Sequence, residues 1–127
     1  MLFLDVKVKA TLEKVRIDLV LKNDTHSTVK LEFPTSQLYD YTIINDQGVE
    51  VFRYSKGRYF LQAFHYMTLK EKEEKTLRST WDYKVNGERV ESGAYTLTAT
   101  LLPANISQLP PASLAKTKKF VIPALNK

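Results

Sequence analysis

Residues 94 to 101 read AYTLTATL: Tyr95, Leu97, Ala99 and Leu101 alternate with Thr96, Thr98 and Thr100. Successive side chains of an extended strand point to opposite faces, so a period of two sends one face to a core and leaves a threonine face wet. β-branched threonine also suits a pleated surface. The same period recurs upstream. Val15, Ile17, Leu19 and Leu21 alternate with Arg16, Asp18 and Lys22, and Val29, Leu31 and Phe33 alternate with Lys30 and Glu32. Helical spacing is not sustained beyond short stretches.

Turn residues separate these runs: Asn23-Asp24, Asp46-Gln47-Gly48, Ser55-Lys56-Gly57, Asn86-Gly87 and Ser92-Gly93. The pattern predicts about nine strands, over 2–9, 15–22, 28–33, 39–45, 49–54, 59–66, 76–83, 94–102 and 117–122. Short strands at regular spacing, without helices for parallel crossovers, predict an all-β fold, a two-sheet antiparallel immunoglobulin-like β-sandwich. The 127 residues are expected to form a single domain with one core.

Composition narrows the chemistry. Hydrophobic residues make up 43% of the chain and charged ones 26%, ordinary for a globular protein. With no cysteine there is no disulfide, thiolate nucleophile or cysteine-type zinc site, and a reducing, cytoplasmic location fits. The opening MLFLDVKVKA reads as a strand rather than a signal peptide, and no apolar run is long enough for a spanning helix, so no membrane partner is expected. His26 and His65, the only histidines, lack ligand spacing, so neither a metal nor a cofactor is expected. Asp24, His26 and Ser27 are close in sequence only, and turn roles explain them better than a triad. No catalytic residue and no enzymatic activity are expected.

The net charge of +5 favours acidic partners without choosing among them. RYSKGRYFLQAFHY, residues 53 to 66, interleaves basic and aromatic side chains as a stacking surface for nucleic acid would. It divides at Ser55-Lys56-Gly57-Arg58, however, and reads better as a strand-turn-strand hairpin with Phe60 and Phe64 facing the core and Tyr54, Tyr59 and Tyr66 at the rim. Nucleic acid is therefore not the expected partner. Trp81 is expected to be buried against a sheet. Two connections are long: the KEKEEK region at 67–75, read as a solvated turn, and PANISQLPPASLAK at 103–116, which carries three prolines.

Residues 21–64, followed by Leu69, Trp81 and Gly93-Ala94-Tyr95, resemble the BsuPI family of bacterial intracellular proteinase inhibitors over about residues 12–102. The marks are Phe33 with Thr35-Ser36-Gln37, Tyr39-Asp40, Arg53-Tyr54-Ser55, Phe60 with Gln62-Ala63-Phe64, and Trp81. Of these Gln37, Tyr39, Arg53, Tyr54, Gln62, Phe64 and Trp81 are expected to be structural. The sequence departs from the family pattern where Lys70-Glu71-Lys72 stands in place of a Pro-Gly turn and Ser92 in place of a proline. The resemblance implies an immunoglobulin-like sandwich that inhibits an intracellular subtilisin-type serine protease. The alternatives are a non-inhibitory immunoglobulin-like interaction domain and a binder of nucleic acid or anionic surfaces.

An inhibitor needs an extended segment that enters the protease cleft and resists turnover. In the 103–116 connection Leu109 precedes Pro110-Pro111, and a bond followed by proline is a poor substrate. Ile106, Leu109 and Pro110 are therefore the candidate protease-binding residues. If every connection reverses the chain, loops 23–27, 45–48, 67–75 and 103–116 share one end, and Pro34 to Leu38 and Ser55 to Arg58 lie at the other.

Overall fold

The computed structural model describes residues 2–103, 105–106 and 114–125, with the backbone alone described at 105 and 106. In chain order the strands are β1 (Leu2–Ala10), β2 (Val15–Asn23), β3 (Val29–Phe33), β4 (Tyr39–Asn45), β5 (Glu50–Arg53), β6 (His65–Leu69), β7 (Glu74–Trp81), β8 (Lys84–Val85), β9 (Glu88–Arg89), β10 (Gly93–Leu101), β11 (Asn105–Ile106) and β12 (Leu114–Ile122). No helix occurs among the described residues, and none is therefore long and apolar enough to cross a membrane. All pairings are antiparallel. They build sheets in the orders β1-β2-β7, β12-β10-β4-β5 and β11-β3-β6, with β8-β9 as a separate ribbon.

The alternation read from residues 94–101 is realised in β10. Tyr95, Leu97, Ala99 and Leu101 are buried while the threonines between them are half-exposed, and Thr98 bonds Thr117 across the strands at 3.1 Å. Ile17, Leu19 and Leu21 of β2, Leu31 and Phe33 of β3, and Ile43 of β4 join them in one buried cluster that draws on all three larger sheets. On β12 Lys116 and Lys118 stand opposite Ala99 and Leu97, in register with buried residues yet exposed themselves. Charge at such positions of an outer strand discourages pairing with another chain.

Two buried polar side chains hold the first sheet. Asp18 of β2 faces Arg78 of β7 across the ladder and accepts from its Nε at 2.8 Å, with Arg16 Nε at 3.7 Å. The Arg78 hydrogen bond outweighs desolvation and holds the Asp18 carboxyl below its ordinary value. Asn23, at the end of β2, donates from Nδ2 to the carbonyls of Ser27, Leu69 and Lys70 at 2.8, 3.0 and 3.0 Å. Its Oδ1 accepts from Thr25 N–H and hydroxyl at 3.1 and 2.6 Å. The loop after β2 is thereby stitched to the turn after β6.

Several expectations change. Residues 59–66 are not the second strand of a hairpin with 49–54: β5 pairs with β4, whereas the next strand is β6 at His65–Leu69 and pairs with β3. Residues 58–64 lie outside the ladders, with Leu61 bonded to Ser36 instead, and Phe64 is 62% exposed. The expected 67–75 loop shrinks to a turn in which Glu73 N–H bonds the Lys70 carbonyl at 3.0 Å. Lys72 there has φ of 62°, the position where a Pro-Gly turn would place its glycine. Asn86-Gly87, with φ of 53° and 81°, closes the two-residue hairpin of β8 and β9, two strands that the alternation did not reveal. The 45–48 and 103–116 connections lie at opposite ends of β4, since Asn45 pairs with Tyr95 and Tyr39 with Leu101. Residues 34–38 instead share the end from which the 103–116 connection leaves, where Leu102 N–H bonds the Leu38 carbonyl at 3.0 Å.

Candidate functional site

Residues 34–38 bridge two surface segments. Thr35 Oγ1 accepts the Gln37 N–H at 3.0 Å, a local side-chain turn, and Gln37 Nε2 donates to the Tyr39 carbonyl at 3.2 Å. From Leu38 the chain is tied to Leu102, where β10 ends. The backbone of β11 then pairs with β3, Asn105 opposite Glu32 and Ile106 opposite Leu31. Leu109 and Pro110 lie outside the described residues.

Ser36 is bonded to the second segment in both directions. The Leu61 N–H donates to Ser36 Oγ at 2.8 Å and the Ser36 N–H to the Leu61 carbonyl at 3.0 Å. Further back, Ser55 donates from N–H and hydroxyl to the Asp40 carboxylate at 3.1 and 2.7 Å. Two successive turns follow, Lys56 N–H to the Arg53 carbonyl and Arg58 N–H to the Ser55 carbonyl, each at 3.2 Å, with Gly57 at φ 78°. Arg58 then lays its guanidinium over the Tyr54 ring, 4.2 Å from the centroid, and Phe60 packs near the same ring at 6.4 Å.

Beneath this segment runs a ladder of rings. Tyr39 stacks on Tyr54 at 4.8 Å, Tyr54 on Tyr41 at 5.2 Å, and Phe52 on Trp81 at 4.8 Å, with Tyr41 bridging to Phe52 at 6.0 Å. Trp81 meets Tyr83 edge-on at 5.8 Å. The polar tips are satisfied: Tyr41 hydroxyl with Ser79 at 2.9 Å, Trp81 Nε1 to the Lys84 carbonyl at 3.1 Å, and Tyr83 hydroxyl shared between the Thr11 and Lys14 carbonyls. Burial, the largest influence, raises the phenols of Tyr39 and Tyr41 above their ordinary value, so both stay neutral.

The family marks thus fall into two groups. Gln37, Tyr39, Arg53, Tyr54 and Trp81 make intramolecular contacts, through the loop turn, the ladder and the pairing of Arg53 with Glu50 at 2.7 Å. Gln62 and Phe64 are exposed and present surface instead. Tyr59, Leu61, Phe64 and Tyr66 are all exposed, Tyr59 at 99%, while Lys30 covers the Tyr66 ring at 4.7 Å. Ser36 and Asp40 stand among the family marks, but their bracing bonds were not legible in the sequence because the partners lie 25 and 15 positions away. Asp24 pairs with Lys72 at 2.7 Å and His26 with Glu71 at 3.2 Å. Among the described residues no group of three His, Cys, Asp or Glu side chains is placed to hold a metal ion.

Fold and site define an antiparallel all-β protein with a braced, exposed loop. The chain belongs to the BsuPI family, intracellular proteinase inhibitor, whose model matches residues 2–106. Comparison with curated proteins finds no match. Among solved structures it is similar to a β-glucosidase from Kluyveromyces marxianus in complex with glucose, at 18% identity and TM-score 0.50, over 98% of this chain and 14% of that one. It is also similar to a protein from Archaeoglobus fulgidus, at 16% identity and TM-score 0.42, over 98% and 100% of the two chains. These likenesses concern the fold alone, and the chain spans only a small part of the β-glucosidase.

Proposed function

We propose that the chain is an inhibitor of an intracellular subtilisin-type serine protease, acting in the cytoplasm by inserting its 103–116 connection into the active-site cleft. Membership of the proteinase-inhibitor family, matched over residues 2–106, is the observation that carries this reading. Insertion requires an extended segment that pairs with enzyme backbone and loses little entropy on docking. Leu109 with Pro110-Pro111 supplies an apolar anchor in a stiff frame that resists cleavage. The reading is supported by the tether at Leu102 and the extended pairing of Asn105–Ile106 on β3, which brace the start of the connection. An immunoglobulin-like arrangement of the strands, which carries its loops at its two ends, suits the same role.

The test is peptide hydrolysis by a purified intracellular subtilisin-type protease titrated with this protein. Ile106→Asp together with Leu109→Asp should weaken inhibition about 100-fold or more, as expected for loss of two anchors. Leu109→Asp alone separates anchoring from any loss of β11 pairing. Unchanged inhibition constants would refute insertion of this connection. Failure of the unmodified protein to inhibit at micromolar concentration would refute the inhibitory function and favour a non-inhibitory interaction domain.

A further inference from the structure

Tyr59 projects completely into solvent while the backbone and side chains on both sides of it are held. On one side Arg58 is bonded through its N–H to Ser55 and stacked on Tyr54; on the other Phe60 packs near Tyr54 and Leu61 is bonded twice to Ser36. A large amphipathic ring presented on a braced loop loses little freedom when it enters a pocket, and tyrosine in such positions dominates binding energy. We propose that Tyr59 is an anchor of a second contact with the protease, its ring entering an apolar pocket whose rim is acidic. This rests on the inhibitory function proposed above.

Three observations support that occupant. The Leu61 N–H and carbonyl are both engaged by Ser36, so this part of the segment is not free to add a strand to an enzyme's edge and acts through side chains. The neighbouring surface carries excess positive charge: Arg58 adjoins Tyr59, and a hollow of about 400 Å³ between β5 and the β8–β9 ribbon is lined by Lys56 and Lys84 beside the Arg53–Glu50 ion pair. The bonds from Leu61 to Ser36 and from Leu38 to Leu102 join this loop to the origin of the 103–116 connection, so one partner can engage both.

A nucleic-acid strand is the poorer fit. It needs successive open rings, yet Tyr54 is covered by Arg58, Tyr39 and Tyr41 and one face of Tyr66 by Lys30, and the open rings Tyr59 and Phe64 stand five positions apart.

Inhibition constants of the full chain against an intracellular subtilisin-type protease test the proposal. Tyr59→Ala should weaken inhibition about 30-fold, with thermal stability unchanged, and Tyr59→Phe should stay within about threefold of the unmodified protein. Ser36→Ala, which removes the hydroxyl brace at Leu61, should weaken inhibition less than Tyr59→Ala does. If Tyr59→Ala inhibits as well as the unmodified protein while Leu109→Asp does not, the second contact is refuted and the insertion mechanism stands. If the unmodified protein does not inhibit, both fall. Sedimentation showing a dimer, or a mobility shift with single-stranded RNA, that Tyr59→Ala abolishes without altering inhibition would assign the ring to another partner and overturn the proposal.

Discussion

Replacing Asn23 by alanine should be among the most damaging single changes in the chain, although residues 23 to 25 read locally as nothing more than a turn. The Asn23 side chain is buried; its two Nδ2 hydrogens serve the carbonyls of Ser27, Leu69 and Lys70, one of them shared, and its Oδ1 accepts two bonds from Thr25. Each bond is worth about 1 kcal/mol net, and a buried carbonyl left without a donor costs more, so Asn23→Ala should lose about 3 kcal/mol after partial rehydration of the exposed ends. With an unfolding entropy of about 2.1 cal/mol/K per residue over 127 residues, that lowers Tm by about 11 °C.

Calorimetry and urea titration would measure the loss. Asn23→Asp provides the internal control: it keeps the shape and the acceptor for Thr25 but turns an oxygen toward three carbonyls. At neutral pH it should be at least as unstable as Asn23→Ala, and its deficit should shrink on acidification, when the new carboxyl gains a proton to donate. A Tm loss under about 3 °C for Asn23→Ala, equivalent to less than one hydrogen bond, would refute this account of the two-loop tie.

Two further outcomes are expected. Because the folded Asp18 carboxyl lies below its ordinary value of 3.8, its stabilisation is fully present above that pH and lost as pH falls through the lowered value. The stability advantage of the unmodified protein over Asp18→Asn, followed by urea titration across a pH series, should therefore vanish in acid; an advantage independent of pH would contradict the role of the Arg78 pair. At Lys72, whose φ is 62°, Gly should be tolerated far better than Val, which keeps the left-handed strain and adds β-branching. Equal melting temperatures for Lys72→Gly and Lys72→Val would count against that backbone strain.

The sequence by itself determined the class of fold. Polarity alternating residue by residue is a local property, and it is what makes AYTLTATL of β10 a strand with one dry face. Turn chemistry is equally local, which is why Asn86-Gly87 and Ser55-Lys56-Gly57 were legible as turns. The ordered marks from Phe33 to Trp81 likewise pointed to the family before any coordinates. Residues 59–66 were misread because apolar side chains occur at both odd and even positions, so alternation there names no inward face.

Only the tertiary structure decided which face and which sheet. Ser55 finds Asp40 fifteen positions away and Leu61 finds Ser36 twenty-five away, and those bonds take the segment out of the ladders and leave Tyr59 in water. The same long-range bonding brought residues 34–38 beside the start of the 103–116 connection, at the end of β4 opposite the 45–48 turn. The physical reason is one of range. A strand's period is written in its own side chains, whereas the partner of a loop hydroxyl or carboxylate is set by where distant backbone arrives once the core has packed.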